Sequence, residues 1–261
     1  MKTVLCISAT SEILTNLEKL YAAQGKTLLL HGRSETQLVE LKRQLDEVSK
    51  DPEKNIILPV FDFLNDSGWP TKSKDEMYMQ WFNDVFEKYM PDSMIIATVN
   101  LKKGSAGLEV NAVAPIKCCE EFIKHAKKDG EKEYSIVYMS SIIAELHDWH
   151  ESMYSYTKYL MNFYIDSLRQ DCSKSNIEVY NIRIGPVNTR LIRDKLLENG
   201  WLTALSAHPD DVARQVKAAI REKNYDFYAP SYWGYVMLAY RWTWNLVVLG
   251  LIVYVVVKLL W

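Results

Sequence analysis

The sequence has little net charge and few cysteines. Its formal net charge is -2 over 261 residues, and no basic stripe is interleaved with aromatic side chains. Because nucleic acids are bound by clustered positive charge, the sequence predicts no nucleic-acid partner. The cysteines show no C-x-x-C or Cys/His ligand spacing, which predicts reduced thiols and no metal site. They are Cys6, Cys118, Cys119 and Cys172.

A long apolar run is also missing from the N-terminus. Only Val4–Ile7 are consecutively apolar there, too few for a signal-peptide core, so we expect the domain on the cytosolic side. The predicted loop Ile142–Ser152 contains His147, Asp148 and His150. Two loop histidines three residues apart, without an evident fourth ligand, are a poor metal site, and we predict none.

The chain does contain alternating strand and helix patterns. Its length and 48% hydrophobic content suit one α/β domain, which we place at residues 1–230, followed by a C-terminal segment at 231–261. A strand over Thr3–Ile7, a helix over Ile13–Ala23 and a strand over Leu28–His31 give a β-α-β unit. In this layout the first turn and the helix N-terminus bind a dinucleotide pyrophosphate.

A tyrosine and a lysine four residues apart carry the chemistry. Tyr154 and Lys158 lie on one face of a predicted helix, so an ammonium can sit near a phenol. A free tyrosine has a pKa near ~10, and a nearby positive charge favours the phenolate. Ser141 lies thirteen residues before Tyr154 and can hold a substrate oxygen beside the phenol. The pattern predicts a proton-transfer site.

With these residues and spacings, the sequence resembles the short-chain dehydrogenase/reductase family. The resemblance implies a Rossmann-like, doubly wound parallel sheet of about seven strands. It also implies that Tyr154 is the general acid/base, that Ser141 orients the substrate oxygen, and that Lys158 lowers the pKa of Tyr154 and contacts the nicotinamide ribose. Asn111 matches the family asparagine that positions a water near the lysine, although an asparagine inside a helix is also an ordinary satisfied core residue.

The family's phosphate loop, T-G-x-x-x-G-x-G, falls on Ile7–Leu14, where all three glycines are replaced. Ser8 is the mildest replacement, Glu12 brings a carboxylate towards a diphosphate unless it turns away, and Leu14 adds bulk at a packing position. We expect weakened cofactor binding. The loop residues predicted to bind the cofactor are Ser8, Thr10, Ser11 and Ile13.

Other positions indicate which dinucleotide binds. Arg33 follows Gly32 at the end of the second strand, where the resemblance implies that an arginine accommodates the 2'-phosphate of NADP, although a solvated arginine is the alternative. Asp62, after a third strand over Ile56–Phe61, matches the position near the adenine, or it caps a turn. Val187 and Thr189 match the turn that contacts the nicotinamide amide. After the fourth strand, by contrast, Val99 replaces a family glycine.

The last twenty residues, Trp242–Trp261, are mostly Val, Leu and Ile. A helix of this length spans roughly 30 Å, so we predict a C-terminal membrane helix, either a tail anchor or a monotopic helix, with a buried core helix as the alternative. Lys258 can snorkel, and an aromatic belt suits the interface. The belt residues are Tyr232, Trp233, Tyr235, Tyr240, Trp242 and Trp244.

The predicted function is an NADP(H)-dependent oxidoreductase that interconverts a carbonyl and an alcohol. Its substrate is a small or lipid-linked molecule, and its catalytic domain lies on the cytoplasmic face of a membrane. The aromatic approach and the apolar tail resemble bacterial reductases of polyprenyl-phosphate-linked 2-keto-pentoses. The sequence is compatible with a homo-oligomer or a hetero-oligomer. The alternative is a non-catalytic binding or scaffold protein that kept the fold and lost the cofactor.

Overall fold

The computed structural model describes residues 2–60, 62, 74–101, 104–128, 132–146, 152–198, 200–243 and 246. Within these residues, seven parallel strands form one sheet of order β3-β2-β1-β4-β5-β6-β7. The strands are β1 Thr3–Ile7, β2 Thr27–His31, β3 Asn55–Ile57, β4 Ser93–Ile96, β5 Tyr134–Ser141, β6 Ile177–Ile184 and β7 Asp226–Ala229. The predicted Rossmann-like α/β fold is confirmed.

Helices connect the strands and cover both faces of the sheet. They are α1 Glu12–Ala22, α2 Glu35–Val48, α3 Lys74–Tyr89, α4 Ser105–Leu108, α5 Ala114–Lys128, α6 Ile143–Leu146, α7 Ser152–Asp171, α8 Arg193–Glu198, α9 Gly200–Ala204 and α10 Pro209–Arg221. A 3-10 turn covers Pro52–Lys54 and a π-helical turn covers Glu109–Val113. Residues 232–243 are also helical, and we call them the C-terminal helix.

Alternation along the buried strands builds two hydrophobic layers. In β1, Leu5 and Ile7 join the layer that includes residues of α3, α5 and α7. Val4 and Cys6 point to the opposite layer, formed with α1, α2 and α10. Successive side chains of a strand face opposite sides, so a strand that is apolar throughout requires cover on both faces. Each fully buried aliphatic side chain contributes about 1.5–3 kcal/mol.

Two local predictions differ from the structure. β3 is shorter than the predicted Ile56–Phe61 and ends at Ile57, while Phe61 lies outside the described residues. The predicted loop after Ser141 includes the short helix α6, Ile143–Leu146. Both differences fall where short apolar runs do not distinguish strand, helix and loop.

The predicted membrane helix lies mostly beyond the described residues, which include 242, 243 and 246 of its span. Among the helices that are described, none has the length and hydropathy needed to cross a bilayer. The C-terminal helix begins inside the predicted second segment but packs on the α/β domain, where Trp233 and Met237 are buried with Ile142. The assignment of Trp233 to an interfacial belt is therefore wrong, because its side chain is 3% exposed. The division at residue 230 remains a prediction.

Candidate active site

A cleft opens at the carboxyl ends of the strands, where β1 lies between β2 and β4. This is the switch point at which open α/β sheets bind ligands. The cleft has a volume of about 1760 Å³. Its lining contains ten of the twelve predicted site residues, namely Ser8, Thr10, Ser11, Ile13, Arg33, Asp62, Ser141, Tyr154, Val187 and Thr189. The other two, Lys158 and Asn111, are fully buried.

Ser141 ends β5, and the next turn of chain fixes its hydroxyl. The backbone N–H of Ile143 donates to Ser141 Oγ at 3.3 Å. This bond uses the oxygen as an acceptor, so the hydroxyl can still donate to a substrate oxygen. Ser155 Oγ donates to the carbonyl of Ile143 at 2.7 Å and ties the start of α7 to this turn.

Helix α7 places Tyr154 and Lys158 one turn apart, as the spacing predicts. Tyr154 is half-buried in the cleft wall. The ammonium of Lys158 lies 5.8 Å from the centroid of the Tyr154 ring. Because the ammonium is fully buried, its positive charge is screened less by solvent than an exposed charge would be and can favour a phenolate at Tyr154.

The Lys158 ammonium is held entirely by protein acceptors. Nζ donates to the carbonyl of Thr98 at 3.0 Å, to the hydroxyl of Tyr138 at 3.0 Å and to the carbonyl of Met139 at 3.1 Å. Burial lowers the pKa of Lys158 to about 7, because the charged form loses its hydration. The predicted contact with a nicotinamide ribose remains a prediction.

Asn111 lies in the π-helical turn and joins three elements. Its Oδ1 accepts the backbone N–H of Asn100 at 2.7 Å, and its Nδ2 donates to the Asn100 carbonyl at 2.8 Å. The same Nδ2 donates to Thr157 Oγ1 at 3.3 Å. The side chain therefore fixes the segment after β4 against α7. Its backbone carbonyl accepts the Tyr138 hydroxyl at 3.4 Å, and the predicted relay water stays a prediction.

The phosphate loop keeps the backbone shape that a glycine would give. Ser8 has a φ of +62°, in the left-handed region that glycine adopts without strain. Ser11 is the N-cap of α1, yet its side chain makes no capping hydrogen bond. The first-turn amides of α1 are therefore not capped by this hydroxyl, as suits an anion-binding helix N-terminus.

Glu12 turns across the cleft to Arg190. Its Oε2 accepts the Arg190 backbone N–H at 2.5 Å, and Oε1 lies 3.5 Å from the guanidinium Nε. The carboxylate is thus paired with a cation, which lessens its repulsion of a diphosphate. Leu14 is fully buried in the hydrophobic layer, and Val99 is 37% exposed at the cleft. The Glu12–Arg190 pair could not be predicted from the sequence, since the partners are 178 residues apart.

The C-terminal helix supports two walls of the cleft. A Cβ added to Gly185 would lie 2.4 Å from Trp233, so only glycine allows this close approach. Trp233 also shares a buried cluster with Ile142, next to Ser141. Arg241 donates to Glu145 in α6 at 2.6 Å. The position of this helix therefore affects both the Ser141 turn and the turn after β6.

Comparisons with known proteins identify related sequences. The sequence model of the short chain dehydrogenase family matches residues 92–224, half of the chain. A dehydrogenase/reductase SDR family protein 7-like of Anopheles gambiae is 34% identical over 40% of this chain and 37% of its own length. Dehydrogenase/reductase SDR family member 7B of Mus musculus is 24% identical over 85% of this chain and 71% of its own length. The chain thus spans just over a third of the first relative.

Among solved structures, an alcohol dehydrogenase from the archaeon Thermococcus sibiricus, complexed with 5-hydroxy-NADP, superposes with a TM-score of 0.65. It is 16% identical, and the match covers 84% of this chain and 90% of that one, which shows the shared fold. The chain belongs to the short-chain dehydrogenase/reductase family of oxidoreductases. Within the described residues, no group of three or more His, Cys, Asp or Glu side chains is placed to hold a metal ion.

Proposed function

We propose that this chain is an NADP(H)-dependent oxidoreductase that interconverts a carbonyl and an alcohol at a membrane surface. One observation carries the proposal. Tyr154 and Ser141 line the same cleft as the Ser8–Ile13 loop, and the Lys158 ammonium lies behind Tyr154. A proton donor, an oxygen-binding hydroxyl and a dinucleotide-shaped cleft therefore meet in one place.

The cleft residues fit a dinucleotide. The N-terminus of α1 is not capped by Ser11, so its backbone amides can bind a diphosphate. The negative charge of Glu12 nearby is paired with the positive charge of Arg190. Arg33 would bind a 2'-phosphate, and Asp62 would meet the adenine. At the other end, a nicotinamide amide would be held by residues Val187 and Thr189.

A nicotinamide bound in this cleft would supply or accept the hydride. In the reducing direction, Ser141 would donate a hydrogen bond to the substrate carbonyl oxygen, and Tyr154 would transfer its phenolic proton to that oxygen. In the oxidising direction, Tyr154 accepts the proton of the alcohol. The charge of Lys158 stabilises the phenolate that reduction leaves, and Asn111 holds α7 and the segment after β4 in position.

NADP is favoured over NAD by Arg33, whose guanidinium suits a phosphate and cannot accept the ribose hydroxyl protons that a carboxylate accepts. The structural neighbour from Thermococcus sibiricus is complexed with 5-hydroxy-NADP, which supports the same cofactor class.

Membrane association is proposed from the exposed side of the C-terminal helix. Tyr235, Leu238 and Trp242 are 77%, 55% and 63% exposed, and their spacing places them on one side of the helix. The apolar sequence continues from there to Trp261. An exposed aromatic surface on a helix whose buried Trp233 contacts Gly185 of the cleft suits a lipid or lipid-linked sugar substrate, including the polyprenyl-phosphate-linked keto-pentoses suggested by the sequence.

The first experiment is a fluorescence titration of the purified full-length protein with NADPH and with NADH. Saturable binding of NADPH in preference to NADH is expected, and Arg33→Ala should remove most of that preference. A matched control is Arg221→Ala, at an exposed arginine that pairs with Glu222 and lies outside the cleft lining. Absence of saturable binding of either dinucleotide at millimolar concentration contradicts the proposal. It favours the alternative, a non-catalytic binding or scaffold protein, for which the replaced glycines are the supporting observation.

The second experiment tests the membrane. Full-length protein should remain with membranes in high salt and in carbonate and should be released by detergent. Release by carbonate alone contradicts a bilayer anchor and leaves the oxidoreductase proposal standing.

A further inference from the structure

The three acceptors around the Lys158 ammonium are not equivalent. A lysine ammonium has three N–H donors, and here each has an acceptor within 3.1 Å. Two acceptors are the main-chain carbonyls of Thr98 and Met139, which any side chain at those positions would leave in place. The third is the hydroxyl of Tyr138. Among the described residues, the Tyr138 hydroxyl is therefore the acceptor of this ammonium that a side-chain substitution can remove.

The Tyr138 hydroxyl is oriented to accept from Lys158. Tyr138 is fully buried, and burial raises the pKa of its phenol well above the ordinary value, so the group remains a neutral hydroxyl. It donates its own hydrogen to the backbone carbonyl of Asn111 at 3.4 Å. A lone pair of the oxygen is then available to the ammonium at 3.0 Å. The hydroxyl thus bridges Lys158 Nζ and the Asn111 carbonyl.

We propose that Tyr138 is a positioning residue, whose hydroxyl completes the hydrogen bonding of the Lys158 ammonium and keeps the charge of that group behind Tyr154. The inference rests on the proposed function for its catalytic consequence only. Its physical basis is that a buried ammonium with an unused donor is destabilised and gives up its proton more readily. Tyr138 therefore sets the fraction of Lys158 that is charged near neutral pH.

The competing role for Tyr138 is packing alone. Its ring belongs to the hydrophobic layer with Ile136 and Phe122, and it lies 4.8 Å from Nζ. The substitution Tyr138→Phe distinguishes the packing role from the positioning role, because it keeps the ring and removes the hydroxyl that accepts a hydrogen bond from Lys158. A packing role predicts a change in stability, whereas a positioning role predicts a change in the titration of Lys158.

The test is an NMR titration of the cofactor-free protein carrying ¹³Cε-labelled lysine, with the Lys158 signal assigned by Lys158→Met. In the unsubstituted protein this signal should titrate near pH 7. In Tyr138→Phe, the ratio of ammonium to amine at a given pH should fall about tenfold, which is a shift of about one pH unit. Coincident titrations in the two proteins overturn the proposal.

Two further variants serve as a control and as a second probe. Tyr180→Phe removes another buried tyrosine hydroxyl, bonded to Glu178 and the Ile220 carbonyl, and should leave the Lys158 titration unchanged. Should Tyr138→Phe fail to fold, 3-fluorotyrosine at position 138 weakens the acceptor without deleting it. It should shift the titration in the same direction by less, and no shift with this probe also overturns the proposal.

A kinetic measurement links the result to catalysis. The pH profile of kcat for Tyr138→Phe should move in parallel with the Lys158 titration, with the KM for NADPH unchanged. A protein without turnover contradicts the proposed oxidoreductase function, while the NMR titration still decides the role of Tyr138. A kcat profile that does not move, in a variant whose Lys158 titration does, overturns the catalytic part of the inference.

Discussion

The two ends of the cleft are constructed differently. At the catalytic end, Asn111 and Lys158 are buried and bonded through side chains to the elements around them. At the phosphate-loop end, the family glycines are replaced, and Glu12 forms an ion pair with Arg190, whose side chain is 83% exposed. Buried hydrogen bonds hold the catalytic end, whereas the backbone conformation and a solvent-exposed ion pair hold the phosphate-loop end.

This difference follows from what each end must do. The proposed proton transfer needs particular functional groups at particular places, so a substitution at Tyr154 or Lys158 is expected to abolish it. A diphosphate is bound mainly by main-chain N–H groups and a helix N-terminus, which other residues can supply if the backbone keeps its course. Ser8 retains the left-handed conformation, so the loop retains its course without the glycine.

The largest expected effect tests the catalytic end. Tyr154→Phe removes the proton donor, and general acid/base catalysis contributes about 100- to 10,000-fold, so kcat should fall by that factor. NADPH affinity should stay within about twofold. The measurement is steady-state kinetics beside a fluorescence titration. Tyr156→Phe, two residues away at a 59% exposed side chain, is the matched control. Equal kcat in the two variants would place the proton donor elsewhere.

The second prediction concerns the buried charge of Lys158. Its pKa is lowered to about 7 in the folded chain, whereas an unfolded lysine titrates near ~10.4. Between these values the unfolded state binds more protons, so this lysine makes the free energy of unfolding rise as pH increases from about 7 towards 10. Lys158→Met should remove that contribution. The free energy of unfolding of the variant minus that of the unsubstituted protein should therefore be greatest near pH 6.

Urea unfolding at several pH values measures this difference. Lys124→Met is the control, because Lys124 is an exposed lysine paired with Glu121 at the surface. A stability difference for Lys158→Met that is the same at pH 6 and pH 9 would contradict a lowered pKa at this site.

The sequence predicted the features that depend on local spacing. Tyr154 and Lys158 are one helical turn apart, and Ser141 ends a strand that an apolar run identifies, so these positions follow from periodicity. The α/β class follows from alternating strands and helices. The end of β3 at Ile57 could not be predicted from the sequence, because the limits of a strand depend on pairing with a neighbouring strand rather than on composition.

Features that depend on contacts between distant parts of the chain were missed. Tyr138 becomes an acceptor for Lys158 because β5 and α7 pack together, and the sequence alone does not indicate this contact. Trp233 was assigned to a membrane belt because aromatic residues cluster in that segment. Its burial depends on Gly185, which lies 48 residues earlier and leaves room for the indole ring.

The third prediction tests the phosphate-loop end. Glu12→Gln removes a negative charge beside the proposed diphosphate position while keeping the size of the side chain. NADPH affinity should rise about five- to tenfold at low salt, since one unit charge at a few ångströms is worth about 1 kcal/mol in a solvated site. The gain should shrink as salt increases. Fluorescence titrations at low and high ionic strength measure both effects.

Glu53→Gln is the matched control, because Glu53 is exposed in the turn Pro52–Lys54, outside the cleft lining. Weaker NADPH binding in Glu12→Gln would show that the ion pair with Arg190 organises the loop for the cofactor. In that case the phosphate-loop end, like the catalytic end, depends on a specific side-chain contact.

The smallest expected effect concerns backbone strain in the phosphate loop. Ser8 has a φ of +62°, a conformation that costs a non-glycine residue about 1 kcal/mol or more and that glycine adopts freely. Ser8→Gly should therefore raise the free energy of unfolding by about 1 kcal/mol in urea denaturation. Ser11→Gly, at a φ of -67°, should have no such gain and should lower stability slightly because glycine has more conformational entropy to lose. If both variants lose stability equally, the serine at position 8 makes contacts that offset its strain, and the loop is held by its side chains as firmly as the catalytic end.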